Sequence, residues 1–129
     1  MQGAARLFFT FAIIYAILGM LLGLSMAISE DHSQMPTHAH VMLAGWASSA
    51  LFAYFYHLFP ALGSKGIAIF HFWFQTASAI VMMVSLLYLY GGNPAAEAGA
   101  AIGSIGYGLG MLLFAYIALP AVWKTTPTP

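Results

Sequence analysis

Four long apolar stretches, each charged at most at its edge, set the terms for this chain. They run at about Ala5–Ile28, Thr37–Phe59, Gly66–Tyr90 and Glu97–Val122. A bilayer hydrocarbon core about 30 Å thick is crossed by roughly 20 apolar residues in a helix. Inside lipid no water is present to satisfy backbone N–H and C=O groups, so segments of this length and composition must be helical. Only 5% of the 129 residues are charged, where a soluble domain carries about 25%. The expected fold is an all-α integral membrane four-helix bundle, a single transmembrane domain over residues 1–129.

The same scarcity removes whole classes of function. Net charge is zero with no basic run, so nucleic acid is not expected as a partner. The absence of cysteine excludes disulfides, thiolate metal sites and thiol catalysis. A P-loop, a dinucleotide glycine fingerprint and a serine-nucleophile elbow are also missing.

Between the stretches the chain has ordinary turn chemistry. Ser29 to Pro36 is polar and ends in a proline suited to a helix start. Pro60 to Lys65 and Gly91-Gly92-Asn93-Pro94 read as tight turns, and Lys124 to Pro129 as a short, frayed polar exit. Arg6, Lys65 and Lys124 fall at one end of a four-span chain, and Glu30, Asp31 and Glu97 at the other. The positive-inside rule then puts both termini in the cytoplasm, with the protein multi-pass in a bacterial inner membrane. The first stretch has a superficial likeness to a signal peptide, but it exceeds the roughly 7–15 residues of a signal core and reads as a retained span.

Two helix faces carry a pattern. In the third stretch His71, Gln75, Ser78, Met82 and Ser85 recur at steps of four and three and share one face. Polar groups in membrane helices turn inward, so Gln75, Ser78 and Ser85 are expected to hydrogen-bond neighbouring helices. In the fourth, Gly99, Gly103, Gly106 and Gly110 form one stripe, and Gly19 and Gly23 make a small-residue pair in the first. Such stripes admit either close helix packing or a flat wall against a planar cofactor.

The five histidines fall into two groups. His32, His38 and His40 lie toward the acidic end, with Met35 and Met42 as soft ligands nearby. His57 follows His40 by seventeen residues, or roughly 25 Å at helical rise, and shares its depth with His71. His38 and His40 are two apart and point about 200° from each other around a helix. One can therefore face the bundle while the other caps, bridges or faces another chain. In a dry, thiol-free, aromatic-rich setting an imidazole suits haem iron. Histidine with methionine at the periplasmic surface suits copper. Below His40, Ala44, Ala47 and Ser48 leave room for a porphyrin.

The stretch THAHVMLAGWASSALFAYFYHLFPAL resembles the second transmembrane helix of the catalytic subunit of haem-copper oxidases, above all the cbb-type oxidases and nitric oxide reductases. HFWFQTASAIVMM, from His71, resembles the helix that follows, so the likeness covers about Thr37–Tyr90. A similar histidine-glycine pattern occurs in NnrS-type haem-copper membrane proteins. The resemblance implies haem b with His40 or His38 as axial ligand, and His40, lying deeper, is the favoured one. The family's subunit has many more spans than four. Its later helices, which supply the remaining haem and copper ligands, have no counterpart here, so a self-contained oxygen- or nitric-oxide-reducing enzyme is not expected.

The leading expectation is a small haem b-binding membrane protein that carries electrons or binds a diatomic gas. A second axial ligand would come from His32, Met35, Met42, the other member of the His38/His40 pair or another copy in a homo-oligomer. A respiratory electron donor or quinone would be its partner, and His57 with His71 could hold a second haem. The alternatives are a copper-binding protein using His32, Met35, His38 and His40, and a cofactor-free accessory or assembly subunit of a respiratory complex.

Overall fold

The computed structural model describes residues 1–124; the expected frayed exit at 125–129 lies outside the described residues. Four helices are long and apolar enough to cross a membrane. They are α1 (Gly3–Ser29), α2 (Met35–Leu58), α3 (Gly66–Tyr90) and α4 (Glu97–Trp123). No strand occurs among the described residues.

Local chemistry sets the helix ends. α1 stops where Glu30 turns left-handed at φ 57°, and α2 starts with Pro36 in its first turn, where a missing N–H costs nothing. A helical turn at Pro60–Gly63 occupies the connection expected to be a simple tight turn. The Asn93 side chain accepts the Ala95 N–H (3.2 Å) ahead of α4, and Glu97 sits in the first turn of α4, where the helix dipole favours a carboxylate.

Two antiparallel seams organise the packing. Along the α1–α2 seam, Gly23 meets His38, Gly19 meets Met42 and Val41, and Gly45 meets Tyr15. Farther down, Phe8 meets Phe52 and Tyr56, and Gly3 meets Gly63. Along the α3–α4 seam the two sequence stripes interlock: Ser85 lies over Gly99, Met82 over Gly103, Ser78 over Gly106, Gln75 over Gly110 and His71 against Phe114. The glycine stripe is thus largely filled by α3 side chains, and an open hollow of about 280 Å³ remains beside Gly103 and Gly106, walled by Phe74, Ala77, Ser78, Val81 and Ile102.

An aromatic core of Phe8, Phe52, Tyr56 and Phe72 forms toward the Gly3–Gly63 contact, and a second core of Tyr15, Val41, Ala79, Met82, Met83 and Leu86 toward the Gly23–His38 contact. Large apolar side chains cover the outside as well: Ile17, Leu18, Leu21 and Leu24 on α1 are about half exposed. Apolar area left in water costs about 25 cal/mol per Å², so this surface fits helices long and apolar enough to cross a membrane.

The charges separate by end. Gly3 touches Gly63 beside Lys65, and Lys124 lines the same hollow as Leu58 and Pro60, so Arg6, Lys65 and Lys124 share one end. At the opposite end Gln34 donates to the Leu87 carbonyl (2.9 Å), close to Glu30, Asp31 and Glu97. Hydrogen bonds from Ser33 hold the Asp31 carboxyl below its usual range, which keeps it charged.

Candidate functional site

The middle of the histidine-bearing helix is not α-helical. From Val41 to Ala47 α2 winds as a π-helix. Its inward residues Thr37, Val41, Gly45, Ser49 and Ala53 are all buried and spaced four apart. In an α-helix each four-residue step drifts about 40° around the axis, about 160° over four steps. The wider π turn, with its i→i+5 bonding, absorbs that drift and keeps the five on one face. Two side chains bond carbonyls within this segment. Ser48 Oγ donates to the Leu43 carbonyl at 2.9 Å, and Tyr107 Oη, from α4, donates to that of Ala44 at 2.8 Å.

His38 and His40 sit immediately before this segment and diverge. His38 turns toward α1, half-buried, with its imidazole against Gly23. Its Nδ1–H donates to the Gly19 carbonyl at 2.8 Å. His40 faces outward and is exposed, and its Nδ1–H donates to the Pro36 carbonyl at 2.7 Å. A carbonyl oxygen can only accept, so in both rings Nδ1 carries a proton, and in the neutral ring Nε2 then keeps its lone pair. Tying one ring nitrogen to a backbone carbonyl is how proteins orient a histidine ligand. Beside His40 lies an apolar hollow of about 220 Å³ walled by Ala39, Leu43 and Ala44. Of the small residues expected below His40, Ala44 lines this hollow and Ala47 and Ser48 do not. The small-residue face of His40 is on the outside of the helix cluster, and the imidazole that packs inward is His38.

The other proposed ligands are dispersed. His32 is exposed and donates through Nδ1 to the Glu30 carbonyl two residues away, at 3.2 Å. Met35 is 48% exposed, and Met42 presses its sulfur toward Gly19. Among the described residues no three His, Cys, Asp or Glu side chains come together as a metal-binding group. The four-residue copper set of His32, Met35, His38 and His40 is therefore not gathered in this chain.

The inner pair is also kept apart. His57 is exposed and lines a hollow of about 280 Å³ with Met1, Gln2, Tyr56 and Pro60. His71 is 0% exposed. Its ring is enclosed by Phe52 (centroids 5.0 Å apart), Phe8 (5.1 Å), Phe114 (5.5 Å, stacked) and Tyr56 (5.9 Å). Its Nδ1 is 3.0 Å from Tyr56 Oη. Four rings in contact leave no space for a macrocycle, so His57 and His71 do not fit a second haem.

Sequence reasoning did not foresee a set of polar atoms inside the protein. His71 Nε2, both amide atoms of Gln75 and the Tyr15 hydroxyl are buried without a hydrogen-bond partner. The expectation that Gln75 would bond a neighbouring helix is not met: its amide lies over Gly110, which offers no donor or acceptor side chain. The step pattern from His71 to Ser85 pointed to this face; nothing in it marked Tyr15.

Comparison with protein-family models, with curated proteins and with solved structures returns no match for this chain.

Proposed function

We propose that the chain is a haem b-binding protein of the bacterial inner membrane, a four-helix bundle with both termini cytoplasmic, that carries electrons or binds a diatomic gas. The observation that carries the reading is His40: an exposed imidazole with Nδ1 pinned to Pro36, a bare Nε2 and an apolar hollow alongside. An imidazole turned out of a helix five residues from its start, with Nδ1 tied to a backbone carbonyl, is open at Nε2 to a ligand. When bound, haem supplies one-electron redox chemistry, or an open iron position for a gas ligand. The chain's own part is orientation. The Pro36 carbonyl fixes the His40 tautomer, the side chains of Ser48 and Tyr107 hold the π turn below it, and His38 locks α1 to α2 at the same level.

Because His40 is exposed, with no other histidine beside its hollow, any further protein ligand to a haem held there would come from another molecule, and a homo-oligomer with His40 near its axis would be the simplest source. A respiratory electron donor or quinone is the partner this assembly would serve. The orientation rests on the three cations at one end, which the positive-inside rule places in the cytoplasm.

The test is an optical spectrum of detergent-purified protein, oxidised and dithionite-reduced, for wild type, His40→Ala and His38→Ala. Sharp reduced bands present in wild type and His38→Ala but lost in His40→Ala are expected. Loss in His38→Ala alone would move the ligand to the inward imidazole. A colourless wild type from haem-replete cells would overturn the reading in favour of a cofactor-free accessory subunit.

A further inference from the structure

His71 has no place in that site, yet it is the most thoroughly buried titratable group the chain carries inside a span. Ionisable residues within membrane helices are rare because they are expensive, and where they occur they mark ion and proton routes. A packing role alone would be better met by phenylalanine, since burying a polar group without a partner is costly.

We infer that His71 is a proton-exchange site inside the membrane span, fed from the cationic end through Tyr56 and handing its proton on toward Gln75. Three observations converge. The Tyr56 hydroxyl is at hydrogen-bond distance from His71 Nδ1 (3.0 Å), and Tyr56 also borders the hollow that holds His57. His71 Nε2 is buried and unpartnered, and so is the whole amide of Gln75, one helical turn farther along the same face. The next unpartnered atom is the Tyr15 hydroxyl, which the α1–α2 seam places nearer the acidic end. Nothing larger than a proton or a water suits the position, because rings pack against the imidazole on several sides. Of those neighbours Phe8 on α1, Phe52 on α2 and Phe114 on α4 cannot titrate, and Tyr56 alone can.

The chemistry of the step follows from the tautomer. With Tyr56 donating, Nδ1 is the acceptor and Nε2 carries a proton that has nowhere to go within the ring cage. Tyr56 passes its hydroxyl proton to Nδ1 as its oxygen takes one from a water admitted from the cationic end, and the imidazolium so formed releases the Nε2 proton to a water admitted beside the Gln75 amide. One proton enters at the Tyr56 oxygen, one leaves at Nε2, and no electrons change hands. The inference does not depend on haem.

The test is ring-nitrogen NMR on histidine-labelled full-length protein in lipid nanodiscs, with His71→Gln used to assign the His71 signal. In wild type the His71 ring proton is expected to exchange with water at least about a hundredfold faster than the backbone amides of Phe72 and Thr76, which are protected by the helix. Tyr56→Phe is expected to slow that exchange at least about tenfold, the worth of one lost hydrogen bond, while His57→Ala keeps the fold and slows it less. A wild-type ring proton as protected as those amides would overturn the inference, whether or not Tyr56→Phe folds. A rate unchanged in a folded Tyr56→Phe would overturn the route through the tyrosine.

Discussion

The α3–α4 seam makes a prediction in which the magnitude can be isolated. An alanine Cβ at Gly103 falls 2.6 Å from the Met82 Cα and closer still to its amide nitrogen, both backbone atoms that no rotamer change can move. The same Cβ at Gly108 meets nothing within 4 Å. Both substitutions replace one helical glycine with alanine and so share the same propensity gain of up to about 1 kcal/mol. Their difference is therefore the steric term alone, which for a forced separation of packed elements is about 1–3 kcal/mol. Gly106→Ala falls between them, because its Cβ meets the Ser78 hydroxyl, which can swing aside. Unfolding of the three variants in mixed micelles, followed by far-ultraviolet circular dichroism over a denaturing-detergent titration, gives the order directly. Gly108→Ala is expected at or above wild type, Gly106→Ala near it, and Gly103→Ala lower than Gly108→Ala by about 2 kcal/mol. Equal stability of the Gly103 and Gly108 variants would refute the interlocked seam.

Other substitutions probe the remaining contacts. His38→Ala is expected to cost about 1–2 kcal/mol, from one hydrogen bond to Gly19 and a void against Gly23, in the same unfolding assay. Tyr107→Phe and Ser48→Ala each remove a hydrogen bond to a carbonyl of the π segment. Each is expected to cost about 0.5–1.5 kcal/mol and to speed amide exchange across Val41–Ala47 more than across Ser48–Leu58. Gln75→Met removes two unpaired buried polar atoms at similar volume and is expected to raise stability by about 1–3 kcal/mol; a loss of stability would show that the amide has a partner.

The helices were legible in the sequence because lipid leaves a chain so few choices. Hydropathy and length placed α3 at its observed bounds and the others within about two residues of theirs, since a backbone without water must close its own hydrogen bonds. The α3 stripe was legible for the same reason, as polar side chains have one direction in which to turn. How its members are satisfied was not. Ser78 and Gln75 could have reached across to a polar partner, and only the register of α4, which sets glycines opposite them, denies it.

The site was harder to read because its decisive feature has no composition of its own. VMLAGWA reads as α-helix by propensity, and the Ser48–Leu43 bond that accompanies its π winding spans five residues, a spacing that periodicity at 3.6 cannot anticipate. The consequence reaches His40. Stepping at four residues from Thr37 to Ala53 keeps the buried stripe of α2 against the interior. Two residues apart at the start of that helix, His38 and His40 must then divide: the stripe commits one to α1 and leaves the other outside. A search for small residues beneath a histidine finds room beside His40, but room on the outer face calls for another molecule to complete it. The same geometry that gives His40 a bare nitrogen also denies it a partner within the chain, and this is why the proposed ligand and the proposed oligomer stand or fall together.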